Sequence, residues 1–511
     1  MGTENVEPPV QQRDGMRAPA SPRWFVLAAG VVIFLVGFYL RLDALTSSLW
    51  LDEFGTFWVV QGDLWNAFQR SWQFQGQSPL YYVFAWAAIH LFGESEFALR
   101  LPSLIFGILT ALVMYWCGRV LAGPRAGWWA AALTWLSVSS ISMSASARPY
   151  SLVLFSVAAA IAGFQSAVRS GRPEARAVWI VGGAMVAWAH YVQYPLVVGL
   201  GLAYALFPAL RVRYSVSKFL ADALLQATIV SLCAPQVFAL LARRDALSWI
   251  DGWNYLVFVG PLLPLLPAIA IGLLEEPLRR SKDPVSHALR RSLWCCLLVH
   301  VGTLESAALL GVNLLSARYF LCLVIPGVAL AADALTRVRS GEAVAALVAV
   351  TIITTSGLVS TKAASGSFSG AGSDDWRSAV ATLSERVSGD QAPLVFYRSG
   401  FVEEDLLPVG APPAATLAPL RSPGRRPFST PVRSLTYRWD RPSRQLYFDE
   451  VVVPAVANSP HFHVLSSRYG PEAVSYPELF VAWVEETWPG RFETRRTSFG
   501  GVELLEFSLT R

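Results

Sequence analysis

Charge is scarce in this chain. Asp, Glu, Lys and Arg make up 15% of its 511 residues, against about a quarter in an ordinary soluble domain, while hydrophobic residues reach 54% and the mean hydropathy is +0.42. That balance excludes an ordinary soluble domain and points to a polytopic membrane protein. Cysteine is scarce too. Cys117, Cys233, Cys295, Cys296 and Cys322 all lie in apolar runs and the C-terminal third has none, so neither a disulfide framework nor a zinc cluster is indicated. No internal repeat of fixed period is visible either, which removes support for a transporter built from inverted repeats. The net charge of +5 could suggest nucleic acid, but the basic residues form short clusters between apolar runs. No nucleic-acid partner is expected.

Apolar runs are plentiful. They fall near residues 24–40, 101–118, 127–143, 150–168, 177–189, 193–210, 219–241, 255–274, 293–312, 319–335 and 343–360, which predicts eleven transmembrane helices. Residues 1–22 read as a disordered cytoplasmic tail, and the first run, followed by Arg41 rather than a small-residue cleavage site, as a retained anchor. A further run, Pro79 to Phe92, has about fourteen residues, which suits a re-entrant or interfacial helix. Left uncrossed, it puts the clusters Arg119/Arg125, Arg169/Arg172/Arg176, Arg211/Arg213/Lys218 and Arg279 to Arg291 on the side of the N-terminus. The positive-inside bias then predicts a cytoplasmic N-terminus and an extracytoplasmic C-terminus in the plasma membrane. The expected organisation is a membrane domain over 23–360, with an outer loop at 41–100, and a soluble α/β domain over 361–511. In that last segment Ser373, Asp374 and Asp375 begin a helix, Pro393 to Tyr397 and Val502 to Leu509 read as strands, and Tyr476 to Trp488 as a second helix.

The outer loop carries Asp52 and Glu53 amid Trp and Phe, followed by Leu64, Trp65, Phe68 and Trp72 at the spacing of a helix lying on the membrane. Carboxylates near hydrocarbon cost about 2.5–3.5 kcal/mol each even on the gentler scales, so the pair marks a functional site. The predicted topology brings to the same face the turn ending in Tyr81 and Tyr82, Glu94 and Glu96, the step Arg148-Pro149-Tyr150, the pair His190-Tyr191, and Arg318-Tyr319. A carboxylate able to take a proton from a hydroxyl, beside arginines able to hold a phosphate, suits transfer of a group off a phosphate leaving group. An arginine and a phosphate charge 4 Å apart attract by ~4 kcal/mol at an effective dielectric near 20, against ~1 in water. Other roles stay open: Asp52 as a helix cap, Arg148 and Arg318 as interfacial anchors, His190 with Tyr191 as an interfacial pair, Tyr81 and Tyr82 as membrane-surface aromatics, and Glu94, Glu96 and Arg100 as a local helix-end salt bridge.

The ordered segments Leu49 to Glu53, Pro79 to Tyr82, Phe92 to Ser103, Ala147 to Ser151 and Ala317 to Tyr319 resemble those of bacterial GT-C membrane glycosyltransferases. The nearest group is the protein mannosyltransferases and lipid A aminoarabinose transferases. The resemblance covers roughly residues 25–335 and extends weakly to Asp375-Trp376-Arg377. It implies a polyprenyl-phosphate sugar donor, a cell-envelope acceptor and an inverting displacement. Asp52 matches the catalytic acidic residue, as general base, Glu53 its neighbour, and Arg148 and Arg318, more loosely, ligands of the donor phosphate; Tyr81, Tyr150, His190, Tyr191 and Tyr319 are candidate lining. Because Ala145 to Tyr150 holds no Asp or Glu where metal-using oligosaccharyltransferases place an acidic pair, no metal ligand is assigned, and no cofactor. Two other classes compete: a lipid or polysaccharide flippase, for which Glu305 inside an apolar run would speak, and an inert membrane anchor for a wall-binding domain.

Overall fold

The computed structural model describes residues 23–73, 78–236, 283–312, 314–337, 374–388, 393–401, 416–421, 428–440, 442–468 and 474–510, with a few isolated positions between. The tail at 1–22, Ser373, and almost all of the runs 255–274 and 343–360 lie outside these residues.

The membrane part is helical. It comprises α1 (Arg23–Leu45), α2 (Leu51–Val60), α3 (Leu64–Gln73), α4 (Leu80–Phe92), α5 (Glu96–Ala122), α6 (Pro124–Leu136), α7 (Val138–Ser144), α8 (Tyr150–Ser170), α9 (Pro173–His190), α10 (Pro195–Leu206), α11 (Val216–Ser231), α12 (Pro284–Leu309) and α13 (Val324–Arg337), with a short turn at Ala317–Phe320 before the last. Among the described residues, four segments are long and apolar enough to cross a membrane: Glu96–Ala122, Tyr150–Ser170, Pro284–Leu309 and Arg318–Arg337. The described residues thus leave the expected eleven crossings unconfirmed. At 1.5 Å per residue, α4 spans roughly 20 Å, short of the ~30 Å hydrocarbon layer, as the uncrossed run requires. Tyr81, Tyr82 and Ala85 on it are fully buried.

Three expected boundaries move for local reasons. The run 127–143 is two helices, because Ser137 leaves helical geometry (φ −66°, ψ 141°) and turns its hydroxyl to the Ser140 amide as the cap of α7. Arg41, read as a loop charge, sits inside α1 with no exposed surface and fills that break. Its guanidinium donates to the Trp135 carbonyl at 2.9 Å and the Ser144 hydroxyl at 2.6 Å, and stacks 3.7 Å over the Trp135 ring. α12 begins at Pro284, because the Asp283 carboxylate accepts from the Val285 amide. Arg290, read as loop, is consequently helical and pairs with Asp333 at 3.6 Å.

Small residues set the tightest crossing. A methyl group at Gly163 would stand 2.5 Å from the Trp179 amide nitrogen, and one at Gly182 2.7 Å from that of Ala160, so α8 and α9 lie backbone to backbone as small residues permit in membranes. Their adjoining ends carry Tyr150 and His190.

The C-terminal segment holds a five-stranded sheet ordered β2-β1-β3-β5-β4, from β1 (Val395–Arg398), β2 (Arg433–Ser434), β3 (His461–Ser467), β4 (Phe492–Phe499) and β5 (Val502–Leu509). β1 runs parallel to β2 and β3, while β5 is antiparallel to β3 and β4. Helices α14 (Trp376–Val387) and α15 (Tyr476–Thr487) accompany it, so this part is α/β as expected. The cap of α14 is Asp375, whose side chain accepts from the Ser378 amide at 3.0 Å, while Asp374 bridges to Gly500 and stays outside the first turn. β3 and β4 carried no usable signal: β3 is buried along nearly its whole length and so does not alternate, and β4 is mostly polar and exposed.

Candidate active site

Trp50 ends the extended approach to α2, and Asp52 and Glu53 occupy its first turn, where the helix dipole favours negative charge. About 100° of helical rotation separates them, and they face different partners. Asp52, 23% exposed, accepts from the Arg318 guanidinium at 2.9 Å and has Arg148 at 3.9 Å on the same oxygen. Arg148 also donates to the Asp52 backbone carbonyl at 3.1 Å. Two guanidinium groups thus converge on one carboxylate, one net positive charge among the three. Burial pushes the Asp52 pKa up, but the charges of Arg148 and Arg318 and the Arg318 hydrogen bond outweigh it, and the carboxyl is held below its ordinary range.

Glu53 is wholly buried and points into the bundle. It receives the Arg100 Nε at 2.8 Å and Nη2 at 2.5 Å, the Ala147 amide at 2.6 Å and the Trp50 amide at 3.3 Å. Arg100 donates in addition to the carbonyls of Ala44, Ser47 and Ser48. This pair ties α5, the end of α1 and the loop of Arg148 to the helix of Asp52. Arg100 therefore does not join Glu94 and Glu96 in a local salt bridge: Glu94 is exposed and Glu96 pairs with Arg377.

The other expected residues divide into two groups. Tyr150, His190 and Tyr319, each less than a tenth exposed, form an aromatic wall: the His190 ring lies 5.7 Å from Tyr150 and 5.5 Å from Tyr319, and 6.0 Å from Tyr191 at the edge. The Tyr150 hydroxyl is hydrogen-bonded to Arg318. Tyr81 has no exposed surface; its hydroxyl meets Ser103 Oγ at 2.8 Å, which also donates to the Arg148 carbonyl at 3.3 Å. Glu305 stands partly exposed in α12. No group of three or more His, Cys, Asp or Glu side chains placed to share a metal ion is found among the described residues.

The C-terminal part touches this site directly. Trp376, fully buried, packs edge-on against Phe54 of α2 at 6.3 Å. Arg377 pairs with Glu96 and donates to the Thr46 carbonyl at 2.9 Å. These contacts had only the faint signal of Asp375-Trp376-Arg377; Arg100, Ser103 and Ala147 lie in segments that carry the resemblance, but nothing in the sequence assigned them these contacts.

Residues 76–238 match the family model described as dolichyl-phosphate-mannose-protein mannosyltransferase. The fold is shared with ArnT from Cupriavidus metallidurans in the apo state, at 12% identity, 94% coverage of this chain, 98% of that one and a TM-score of 0.55. The same protein bound to undecaprenyl phosphate gives 13% identity, 95% and 98% coverage and a TM-score of 0.53. The Archaeoglobus fulgidus oligosaccharyltransferase in complex with Zn and sulfate gives 13% identity, 94% and 73% coverage and a TM-score of 0.49. No curated protein matches the chain. This chain is thus similar to the protein mannosyltransferases over 76–238 and shares the fold of ArnT over nearly its whole length.

Proposed function

We propose that the chain transfers a sugar from a polyprenyl-phosphate carrier to an acceptor in the cell envelope, at the extracytoplasmic membrane face, with inversion at the anomeric carbon. The observation that carries this is the convergence of Arg148 and Arg318 on Asp52. That ArnT was crystallised with undecaprenyl phosphate supports a carrier of the same kind.

The acceptor oxygen attacks the anomeric carbon while the bond from that carbon to the carrier phosphate oxygen breaks, and Asp52 takes the acceptor proton. The carrier phosphate leaves with its added negative charge facing Arg148 and Arg318. Held by two arginines, Asp52 is a weak base. A donor phosphate drawing those guanidiniums to itself loosens their hold and raises the basicity of Asp52 only when substrate is present. Tyr150, His190 and Tyr319 form the wall against which the sugar is oriented, and Glu53 acts through Arg100 and the Ala147 amide as a positioning residue.

The test is transfer of radiolabelled sugar from a polyprenyl-phosphate donor by the reconstituted protein and by Asp52→Asn. Loss of transfer with donor binding kept is the expected result, and undiminished transfer rejects the mechanism. Carrier movement across the bilayer without any transfer would favour the flippase instead.

A further inference from the structure

A second cluster of basic side chains lies at the far end of the helices that build the Asp52 site. α8 begins at Tyr150 in that site and ends at Arg169 and Ser170; α9 runs back from Pro173 to His190. At 1.5 Å per residue, Tyr150 and Arg169 are roughly 28 Å apart along the helix, about one hydrocarbon thickness. Between the last turns of α5 and α8 and the first turns of α9 and α12 opens a cavity of about 820 Å³ whose lining includes Trp116, Arg119, Arg169, Arg172, Glu174 and Ser286. That volume lies within the range of pockets that hold small molecules and head groups.

The charge of this lining is lopsided: three arginines face one carboxylate, Glu174. Arg169 is anchored, donating to Ser286 Oγ at 2.7 Å and to Asp283 at 3.3 Å. Arg119 and Arg172 are exposed, and among the described residues no ion pair to either is found. Ser166 Oγ, buried against the same cavity, has no hydrogen-bond partner among the described residues. Arginines that only mark membrane topology extend into water. Here Arg119 and Arg172 line a recess beside Arg169, whose own charge is met by Asp283, with Trp116 among the lining residues.

We propose that this cavity binds the phosphate head group of an anionic glycerophospholipid, at the membrane surface opposite the Asp52 site. Arg119 and Arg172 embrace the phosphate, Arg169 and Ser286 form the fixed floor, and the acyl chains leave along the apolar faces of α5 and α9. Basic recesses between membrane helices select such head groups, each nearby arginine adding attraction that surrounding water does not abolish.

The test is native mass spectrometry of the purified full chain titrated with dioleoylphosphatidylglycerol, with dioleoylphosphatidylcholine as the zwitterionic control. The intact protein should retain phosphatidylglycerol in preference to phosphatidylcholine. Arg119→Gln with Arg172→Gln should lower that retention about tenfold, and Glu174→Gln should raise it. The opposite signs separate head-group binding from a general loss of fold. Equal phosphatidylglycerol retention by the intact chain and the double variant overturns the proposal. So does displacement of the lipid's preference by millimolar inorganic phosphate with no dependence on the acyl chains, which would make this a site for a soluble phosphate.

Discussion

Arg318 and Asp52 lie 266 positions apart in the chain and meet at 2.9 Å. Their contact, joined by Arg148 on the same carboxylate oxygen, brings an acid from α2 to a guanidinium at the start of the apolar segment Arg318–Arg337 and makes one site of them.

Asp52→Asn should lower sugar transfer by about 100-fold or more, the usual contribution of a positioned general base. Donor affinity should hold or improve, because the neutral amide no longer competes with the donor phosphate for Arg148 and Arg318. Rate and donor KM measured together on the reconstituted protein check this, and a weakened donor affinity with a normal rate would speak against it.

Arg318→Lys keeps the charge but gives up the planar fork that reaches both Asp52 and Tyr150. The expected outcome is a donor KM raised roughly tenfold, from the ~1.5–3 kcal/mol of one charged hydrogen bond, with the acceptor KM unchanged. Initial rates with each substrate varied in turn distinguish the two.

The Asp52 carboxyl is held below its ordinary range by Arg148 and Arg318 against the upward push of burial. The sign follows directly: a pKa lower in the folded than in the unfolded chain gives stability that is present above the unfolded value and lost as pH falls through the folded one. The kcat/KM for transfer, which reports the substrate-free enzyme, should therefore stay level through neutral pH and fall only below the usual carboxylate range. In Arg148→Met the acid fall should move to higher pH. A pH profile of both proteins tests this, and an unmoved limb in the variant would sever Arg148 from Asp52.

Glu53 and Arg100 are both without exposed side-chain surface. Removing one partner strands a buried charge, so Glu53→Gln or Arg100→Met should destabilise the protein by about 3–5 kcal/mol. Replacing both by apolar residues should recover most of the stability but not the rate, because Ala147 would lose the acceptor that fixes the Arg148 loop. Thermal unfolding in detergent, read beside transfer rates, separates the two effects.

Trp376→Ala empties the contact between α14 and Phe54 and should cost about 3–5 kcal/mol as a large core deletion. Limited proteolysis of the segment from 374 onward should accelerate. Transfer should fall alongside, since Phe54 lies two residues from Asp52 on α2.

Much of this was legible in the sequence. The apolar runs announced a membrane protein because hydrocarbon admits only segments whose backbone is satisfied internally. Asp52 stood out because a carboxylate there is costly, and the order of short segments around it carried the resemblance. Arg41 and Arg100 were misplaced for one shared reason: an arginine at a span end has the same pattern whether it faces water or fills a polar break between helices, and only the position of Trp135, Ser144 and Glu53 distinguishes the two. β3 went unseen because burial of both its faces erases alternation.

By itself, then, the sequence determined the solvent this chain lives in and the chemical types at its candidate site, since hydropathy and charge are properties of residues taken singly. Which acid faces the arginines and which is sealed in the bundle was decided by the tertiary structure alone. Asp52 and Glu53 are adjacent and chemically near-identical; a rotation of about 100° on one helix turn, set by where Arg100 and Arg318 arrive from distant parts of the chain, gives one a partly exposed edge between two arginines and the other a buried bond.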